Sequence, residues 1–229
     1  MADILGVDVS HWQGKIDWNL MEQRGVRFAF SKLSEHDEYQ DDTFTINYDE
    51  CKKRGILFGA YHFVRMNVAV QDQYDNIVSA LGDRTLDIFA LDCETNDGQA
   101  QKNCTKIVRG LVTKCQGLGG VEYPTIYTRK YWWDIYISRS TDWAKLPLWV
   151  ANWDTTYPLL PADWTYYTIW QNKVLKSAAS YGVIGAGLDL NKWNPAVPFD
   201  GAEPVPEPAE DVVTGTIVIN GVRYKLVRE

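Results

Sequence analysis

The sequence has few of the residues that hold metal ions or form disulfides. Its four cysteines form no CxxC pair and its three histidines form no HExxH motif. The spacing of the cysteines matches no common zinc pattern, so the usual zinc sites and zinc hydrolases are excluded. We expect free thiols made in a reducing cytoplasm, with no metal and no cofactor.

Long apolar runs and an excess of basic residues are also missing. No stretch of about 18 apolar residues occurs, so no membrane-spanning segment is expected. The 229 residues include 23 Lys and Arg against 30 Asp and Glu, a net charge of −7. Nucleic acid is therefore excluded as a partner, because phosphate binding needs a basic surface. Residues 1–10 show no cationic region followed by an apolar run, so no secretory signal peptide is expected.

Short apolar runs alternate with helical patterns over most of the chain, which predicts parallel strands joined by helical crossovers. The predicted strands are residues 4–9, 26–32, 56–63, 87–93, 123–127, 147–151, 167–171 and 185–190. With five predicted helices, this pattern favours an α/β fold, a modified (β/α) barrel of about eight strands with an irregular last third. An open doubly wound sheet is the alternative, but no GxGxxG or Walker loop follows any strand, which disfavours nucleotide binding.

The composition changes after Trp193. Residues 1–197 are predicted to form the barrel and residues 198–211 an acidic, Pro-rich linker. In the tail, residues 212–229, Asn220-Gly221 lies between two alternating runs, which predicts a β-hairpin. A lone hairpin is marginally stable in water, so we expect it to dock, to pair with a second copy or to begin a further module.

Acidic residues lie at the ends of three predicted strands. Asp92 and Glu94 share one face of their strand because side chains alternate, whereas Cys93 is expected to face the helices and be inert. Asp8 ends the first strand and Asp189 ends the last, and these strands are neighbours in a closed barrel. Active sites of such barrels lie at the carboxyl ends of the strands. Crowded carboxylates with separated pKa values suit glycosidic bond cleavage.

Aromatic residues, 13% of the chain, occur in register with these acids. The rings and amides near strand ends are Tyr61, Tyr127, Trp149, Trp153, Gln171 and Asn191. Sugar rings present apolar faces, so rings with a few amides suit a glycan cleft. Each ring considered alone fits core packing equally well.

Several short motifs occur in the order found in one enzyme family. Residues 6–13, GVDVSHWQ, resemble the opening DVSxxQ signature of the glycoside hydrolase family 25 lysozymes, the Chalaropsis-type muramidases common as phage endolysins. Residues 59–63, GAYHF, are similar to their GxYHF strand, and residues 92–94, DCE, to their DxE motif. The segments that follow in order are 124–127, 147–151, 170–171 and 188–191. The likeness covers about residues 1–195, and Asn152-Trp153 departs from a place where the family often has tyrosine.

The resemblance implies a lysozyme that hydrolyses the β-1,4 bond between N-acetylmuramic acid and N-acetylglucosamine in peptidoglycan. It implies that Glu94 is the general acid, that Asp92 orients the substrate N-acetyl group, and that Asp8 and Asp189 complete the acidic site. The residues it implies for substrate binding are Tyr61, Tyr127, Trp149, Gln171 and Asn191. Residues i and i+2 of a strand are about 7 Å apart, between the retaining and inverting separations, so spacing leaves the mechanism open. We expect retention with participation of the N-acetyl oxygen.

Two rival functions remain open on the sequence. One is a non-catalytic glycan-binding module on the same fold; the other is a different barrel glycosidase such as a chitinase, although the longer DxxDxDxE run of chitinases is absent. The expected partner is a peptidoglycan glycan strand, and a homo-oligomer could form through the C-terminal hairpin. We expect an endolysin made in a bacterial host cytoplasm that acts on the cell wall after release.

Overall fold

The computed structural model describes residues 4–184 and 187–197, and the backbone of residues 215–219 and 222–226. The strands are β1 Ile4–Val9, β2 Val26–Glu35, β3 Tyr39–Gln40, β4 Leu57–Phe63, β5 Ile88–Asp92, β6 Thr125–Thr128, β7 Leu148–Ala151, β8 Ile169–Leu175, β9 Leu188–Trp193, β10 Gly215–Ile219 and β11 Val222–Leu226. The α-helices are α1 Trp18–Gln23, α2 Phe44–Arg54, α3 Val70–Leu81, α4 Gln101–Lys114 and α5 Lys130–Tyr136. Eight strands and five helices form the barrel, as the sequence predicts.

The sheet closes because β1 pairs with both β9 and β2. Strand order around the barrel is β1-β9-β8-β7-β6-β5-β4-β2, and β3 extends β2 as a short antiparallel addition. The parallel pairs of the barrel are β1–β2, β2–β4, β4–β5, β5–β6, β6–β7 and β7–β8. Strand β9 runs antiparallel to both β1 and β8. The chain is therefore a closed α/β barrel, and the open-sheet alternative is wrong.

The direction of β9 corrects the predicted place of Asp189. The sequence predicts a strand over 185–190 with Asp189 at its end, but β9 spans Leu188–Trp193 and Asp189 is its second residue. Because β9 is antiparallel, its beginning lies at the same end of the barrel as the carboxyl ends of the parallel strands. Asp189 pairs directly with Asp8 of β1, so the two carboxylates still meet.

Two glycines let large rings fill the barrel interior. A Cβ on Gly6 would overlap the Phe28 ring, and a Cβ on Gly59 would overlap the Phe30 ring. Phe30 stacks on Trp149 with ring centroids 4.1 Å apart. Together with Phe28, these rings fill the barrel interior with apolar side chains.

A second apolar layer lies between the strands and the helices. It contains strand residues that alternate with the inward ones, such as Val7, Ala29 and Leu91. Cys93 is fully buried in this layer as a free thiol, and its burial raises its pKa well above the usual value. The outward direction expected for Cys93 is thus confirmed.

The last third of the barrel is irregular, and no α-helix joins β7 to β8 or β8 to β9 within the described residues. The chain divides into two units, Met1–Pro198 and Phe199–Glu229. In the second unit β10 and β11 pair antiparallel, with Ile219 opposite Val222. The predicted turn Asn220-Gly221 and the predicted linker 198–211 lie outside the described residues. No described helix is long and apolar enough to cross a membrane.

Candidate active site

Four carboxylates converge at one end of the barrel. Asp8 comes from β1, Asp189 from β9, and Asp92 is the last residue of β5, with Glu94 two residues further on. Asp8 and Glu94 each raise the pKa of Asp92 and of Asp189 through charge repulsion. The structure therefore brings together all four acids that the sequence singles out.

Asp8 is held by two side-chain amides. Gln171 Nε2 donates to Asp8 Oδ2 over 2.9 Å, and Asn191 Nδ2 donates to the same oxygen over 2.7 Å. Burial raises the pKa of Asp8 to about 6, although both amide hydrogen bonds lower it. We call Gln171 and Asn191 the amide clamp.

The amide clamp is itself fixed by aromatic donors. Trp149 Nε1 donates to Asn191 Oδ1 over 2.8 Å. Gln171 Oε1 accepts from Tyr127 Oη over 3.0 Å and from Trp153 Nε1 over 2.9 Å. Because each amide oxygen accepts these bonds, the amide nitrogens must point toward Asp8.

The predicted sugar-binding side chains divide by exposure. Trp149, Gln171 and Asn191 are 2%, 3% and 0% exposed, so they support Asp8 from below. Tyr127 is also buried, whereas Tyr61 is partly exposed beside the acids. Trp149 is thus placed under the carboxylates, with its ring stacked on Phe30, where it offers no free face.

Asp92 and Glu94 form a coupled pair. Asp92 is buried, and its Oδ1 has no hydrogen-bond partner among the described residues. Burial, then repulsion from Glu94, raises the pKa of Asp92 well above its usual value. Burial also raises the pKa of Glu94, whereas the positive charges of Arg129 and Lys32 lower it. Arg129 Nη2 lies 4.0 Å from Glu94 Oε2. Two crowded carboxyl groups of this kind favour sharing one proton over carrying two adjacent negative charges.

Asp189 completes the site at the opposite wall. Burial, with repulsion from Asp8 and Glu94, raises its pKa to about 7. The mouth therefore contains carboxyl groups that titrate over different ranges, as acid–base catalysis requires. Among the described residues no group of His, Cys, Asp or Glu is arranged to hold a metal ion.

Sequence reasoning missed two kinds of residue at this end of the barrel. The first is cationic: Lys32 on β2 and Arg129 after β6. Period-two alternation from Phe28 and Phe30 could have placed Lys32 on the inward face. The second is aromatic: Trp12 in the segment after β1 is 73% exposed, and Tyr39 of the short strand β3 is 38% exposed.

A closed α/β barrel whose mouth joins an acidic cluster to aromatic rings has the site of a glycoside hydrolase. The sequence model of glycosyl hydrolases family 25 matches residues 7–178. The chain belongs to that family and is a glycoside hydrolase.

Relatives of known name agree with this assignment. Lysozyme M1 of Streptomyces globisporus is 32% identical over 221 residues, covering 84% of this chain and 68% of the relative. The N,O-diacetylmuramidase of Chalaropsis is 26% identical over 195 residues, covering 78% of this chain and 90% of the relative. The crystal structure of the lysozyme from Streptomyces coelicolor matches with a TM-score of 0.75 and 30% identity, covering 85% of this chain and 93% of that one.

Proposed function

We propose that the protein is a lysozyme that cleaves the β-1,4 bond between N-acetylmuramic acid and N-acetylglucosamine in bacterial peptidoglycan. The observation that carries this proposal is the cluster of four carboxyl groups with raised pKa values at the barrel mouth. The named relatives, a lysozyme and a diacetylmuramidase, support the choice of substrate. The partner is accordingly a peptidoglycan glycan strand.

Glu94 supplies the proton in this proposal. It is partly exposed, whereas Asp92 is buried, so of the coupled pair Glu94 is the member that a glycosidic oxygen can reach. Transfer of the Glu94 proton to that oxygen breaks the bond to the anomeric carbon and leaves Glu94 ionised. The leaving sugar departs with the proton as its new hydroxyl hydrogen.

The N-acetyl oxygen of the substrate is the proposed nucleophile. It bonds to the anomeric carbon as the leaving group departs. Asp92 Oδ1, which has no hydrogen-bond partner among the described residues, accepts from the N-acetyl N–H. Water then attacks the anomeric carbon, gives its proton to Glu94 and restores the N-acetyl group, so configuration is retained. Asp8 and Asp189 add negative charge near the positive charge that develops on the sugar.

Digestion of purified peptidoglycan tests the function. After reduction of the products, mass spectrometry is expected to find reduced muramic acid at the new ends, and Glu94→Gln is expected to release none. Reduced glucosamine or free stem peptides would contradict the proposal.

Anomer-resolved NMR of the first product tests the mechanism. A product with inverted configuration would contradict the participation of the N-acetyl group.

The endolysin role and the hairpin-mediated homo-oligomer stay predictions from the sequence. Purified protein added to intact and to permeabilised bacteria, followed by turbidity, tests action on the wall from outside and from inside. Sedimentation of the full chain against a chain ending at Pro198 tests the oligomer. If both chains sediment as the same oligomeric state, after correction for mass, the prediction of an oligomer formed through the hairpin is contradicted.

A further inference from the structure

Lys32 places an ammonium group inside the barrel mouth. Its side chain follows Phe28 and Phe30 at period two, and those rings fill the barrel interior. Lys32 pairs in register with Tyr61 of β4 and is 8% exposed. An ammonium group buried to this extent is costly unless neighbouring groups compensate its charge.

Three neighbours hold this ammonium group. Glu35 Oε2 accepts a hydrogen bond from Lys32 Nζ. The rings of Phe63 and Tyr39 lie with centroids 5.1 Å and 5.4 Å from Nζ. Phe63 is the residue paired with Asp92 across β4 and β5. The group is therefore confined to the side of the mouth on which Asp92 and Glu94 lie.

Glu35 links Lys32 to the loop that follows Glu94. Its other oxygen, Oε1, accepts from Arg65 Nη1 over 3.0 Å, and Arg65 Nη2 lies 2.7 Å from Asp97 Oδ1. Asp97 Oδ2 in turn accepts from the backbone N–H of Met66 over 2.7 Å. The ends of β2, β4 and β5 are thus tied together by alternating charges.

The charge of Lys32 acts on both members of the coupled pair. It lowers the pKa of Asp92 and of Glu94, against burial, which raises both. The other charged groups that act on the pair are Asp8, Glu35 and Arg129, and Asp189 interacts with Glu94 from β9. Lys32 and Arg129 are the cations of this set, and Arg129 acts on Glu94 from the rim.

We propose that Lys32 is a positioning residue of the hydrolytic reaction, whose ammonium group, held by Glu35, sets the charge balance of the Asp92–Glu94 pair. This inference rests on the proposed function for its effect on catalysis. It makes Glu94 a stronger acid than burial alone would leave it, which favours transfer of its proton to the glycosidic oxygen.

Two substitutions that remove charges of opposite sign test the proposal. Lys32→Met removes the cation and is expected to raise the pH at which the pair loses its proton by about one unit. Glu35→Gln removes the anion beside the cation and is expected to lower that pH. Lys32→Arg keeps the charge and is expected to restore the wild-type value. Lys53→Met, on the exposed side of α2, is the matched control and is expected to change nothing.

Two readouts separate this proposal from the proposed function. Carboxyl ¹³C NMR titration of the pair, assigned with Asp92→Asn and Glu94→Gln, needs no substrate and reports the charge balance even if no glycan is cleaved. The alkaline limb of the kcat profile is expected to move with the NMR value, while KM changes less than about twofold because Lys32 is nearly inaccessible. If Lys32→Met does not fold, Glu35→Gln carries the test. Shifts of one sign in both variants, or no shift, would overturn the proposal.

Discussion

The two walls of the barrel mouth hold their carboxyl groups by different means. On the β1, β8 and β9 wall, Asp8 is gripped by neutral amides whose own oxygens are fixed by Trp149, Tyr127 and Trp153. On the β2, β4 and β5 wall, the Asp92–Glu94 pair has cations nearby, and Asp92 Oδ1 has no hydrogen-bond partner among the described residues. The amide hydrogen bonds hold the Asp8 carboxylate in position. The nearby cations instead lower the pKa values of Asp92 and Glu94.

We expect the largest loss of activity from a substitution on the β2, β4 and β5 wall, which holds Asp92 and Glu94. Glu94→Gln keeps the shape of the side chain but cannot donate a proton to the leaving oxygen, so kcat is expected to fall by about 10³-fold or more. Turnover of a soluble glycan fragment measures it. Binding of the same fragment is expected to persist, and full activity in this variant would remove Glu94 from its role.

Asp8→Asn tests the amide-clamped wall. Its amide oxygen can still accept from the clamp, so the fold is expected to survive while kcat falls by about 10²-fold through loss of negative charge. The effect is expected to be smaller than that of Glu94→Gln. A larger loss at Asp8 would reverse the roles assigned to the two walls.

The same substitution changes the pH dependence of stability. The pKa of Asp8 is about 6 in the folded protein, against 3.8 for an unperturbed aspartate, so the folded protein binds more protons between these values. Its free energy of unfolding therefore falls as pH rises through this window, and the cost at pH 8 is about 3 kcal/mol. Asp8→Asn is expected to lack this fall in urea titrations from pH 4 to 8. An unchanged slope would show that Asp8 titrates normally.

Trp149 separates packing from hydrogen bonding. Trp149→Ala empties a buried site and is expected to lower the free energy of unfolding by about 3–5 kcal/mol, with a loss of activity. Trp149→Phe keeps a stacked ring but removes the donor to Asn191, and it is expected to cost less stability, about 1–2 kcal/mol. Thermal unfolding of both variants checks the order. Equal stability of the two would mean that packing does not hold the clamp.

The smallest expected effect comes from Tyr61→Phe compared with Tyr61→Ala. Tyr61 is partly exposed beside the acids, so loss of its hydroxyl is expected to raise KM only a few-fold, and loss of the ring more. Hydrolysis rates over a range of glycan concentrations measure this. A KM for Tyr61→Ala equal to that of Lys53→Met would show that Tyr61 does not contact substrate.

The alternation of short apolar runs with helical patterns is enough to predict the barrel, and period-two patterning within the strands is enough to predict its acids. Asp92 and Glu94 share a face in any strand, and Asp8 follows an apolar run that must be buried. The direction of β9 was not predictable in this way, because alternation is the same in both senses along a strand. The error at Asp189 was harmless only because residues near the start of an antiparallel strand reach the same mouth.

The roles of Trp149 and Lys32 depend on contacts between distant strands. An aromatic residue near a strand end fits a cleft or a core, and only its stacking on Phe30 places Trp149 below the acids. Lys32 lies in a strand otherwise rich in apolar residues, and its burial depends on Glu35, Tyr39 and Phe63. Such compensation is invisible until the fold brings the partners together.

Infrared spectroscopy of protonated carboxyl groups tests the central claim, that the Asp92–Glu94 pair stores the catalytic proton. At pH 8, above the pKa values of about 6 for Asp8 and about 7 for Asp189, the wild-type protein is expected to show a carboxylic acid C=O band. The double variant Asp92→Asn, Glu94→Gln is expected to lack it. Identical spectra for the two proteins would contradict the account.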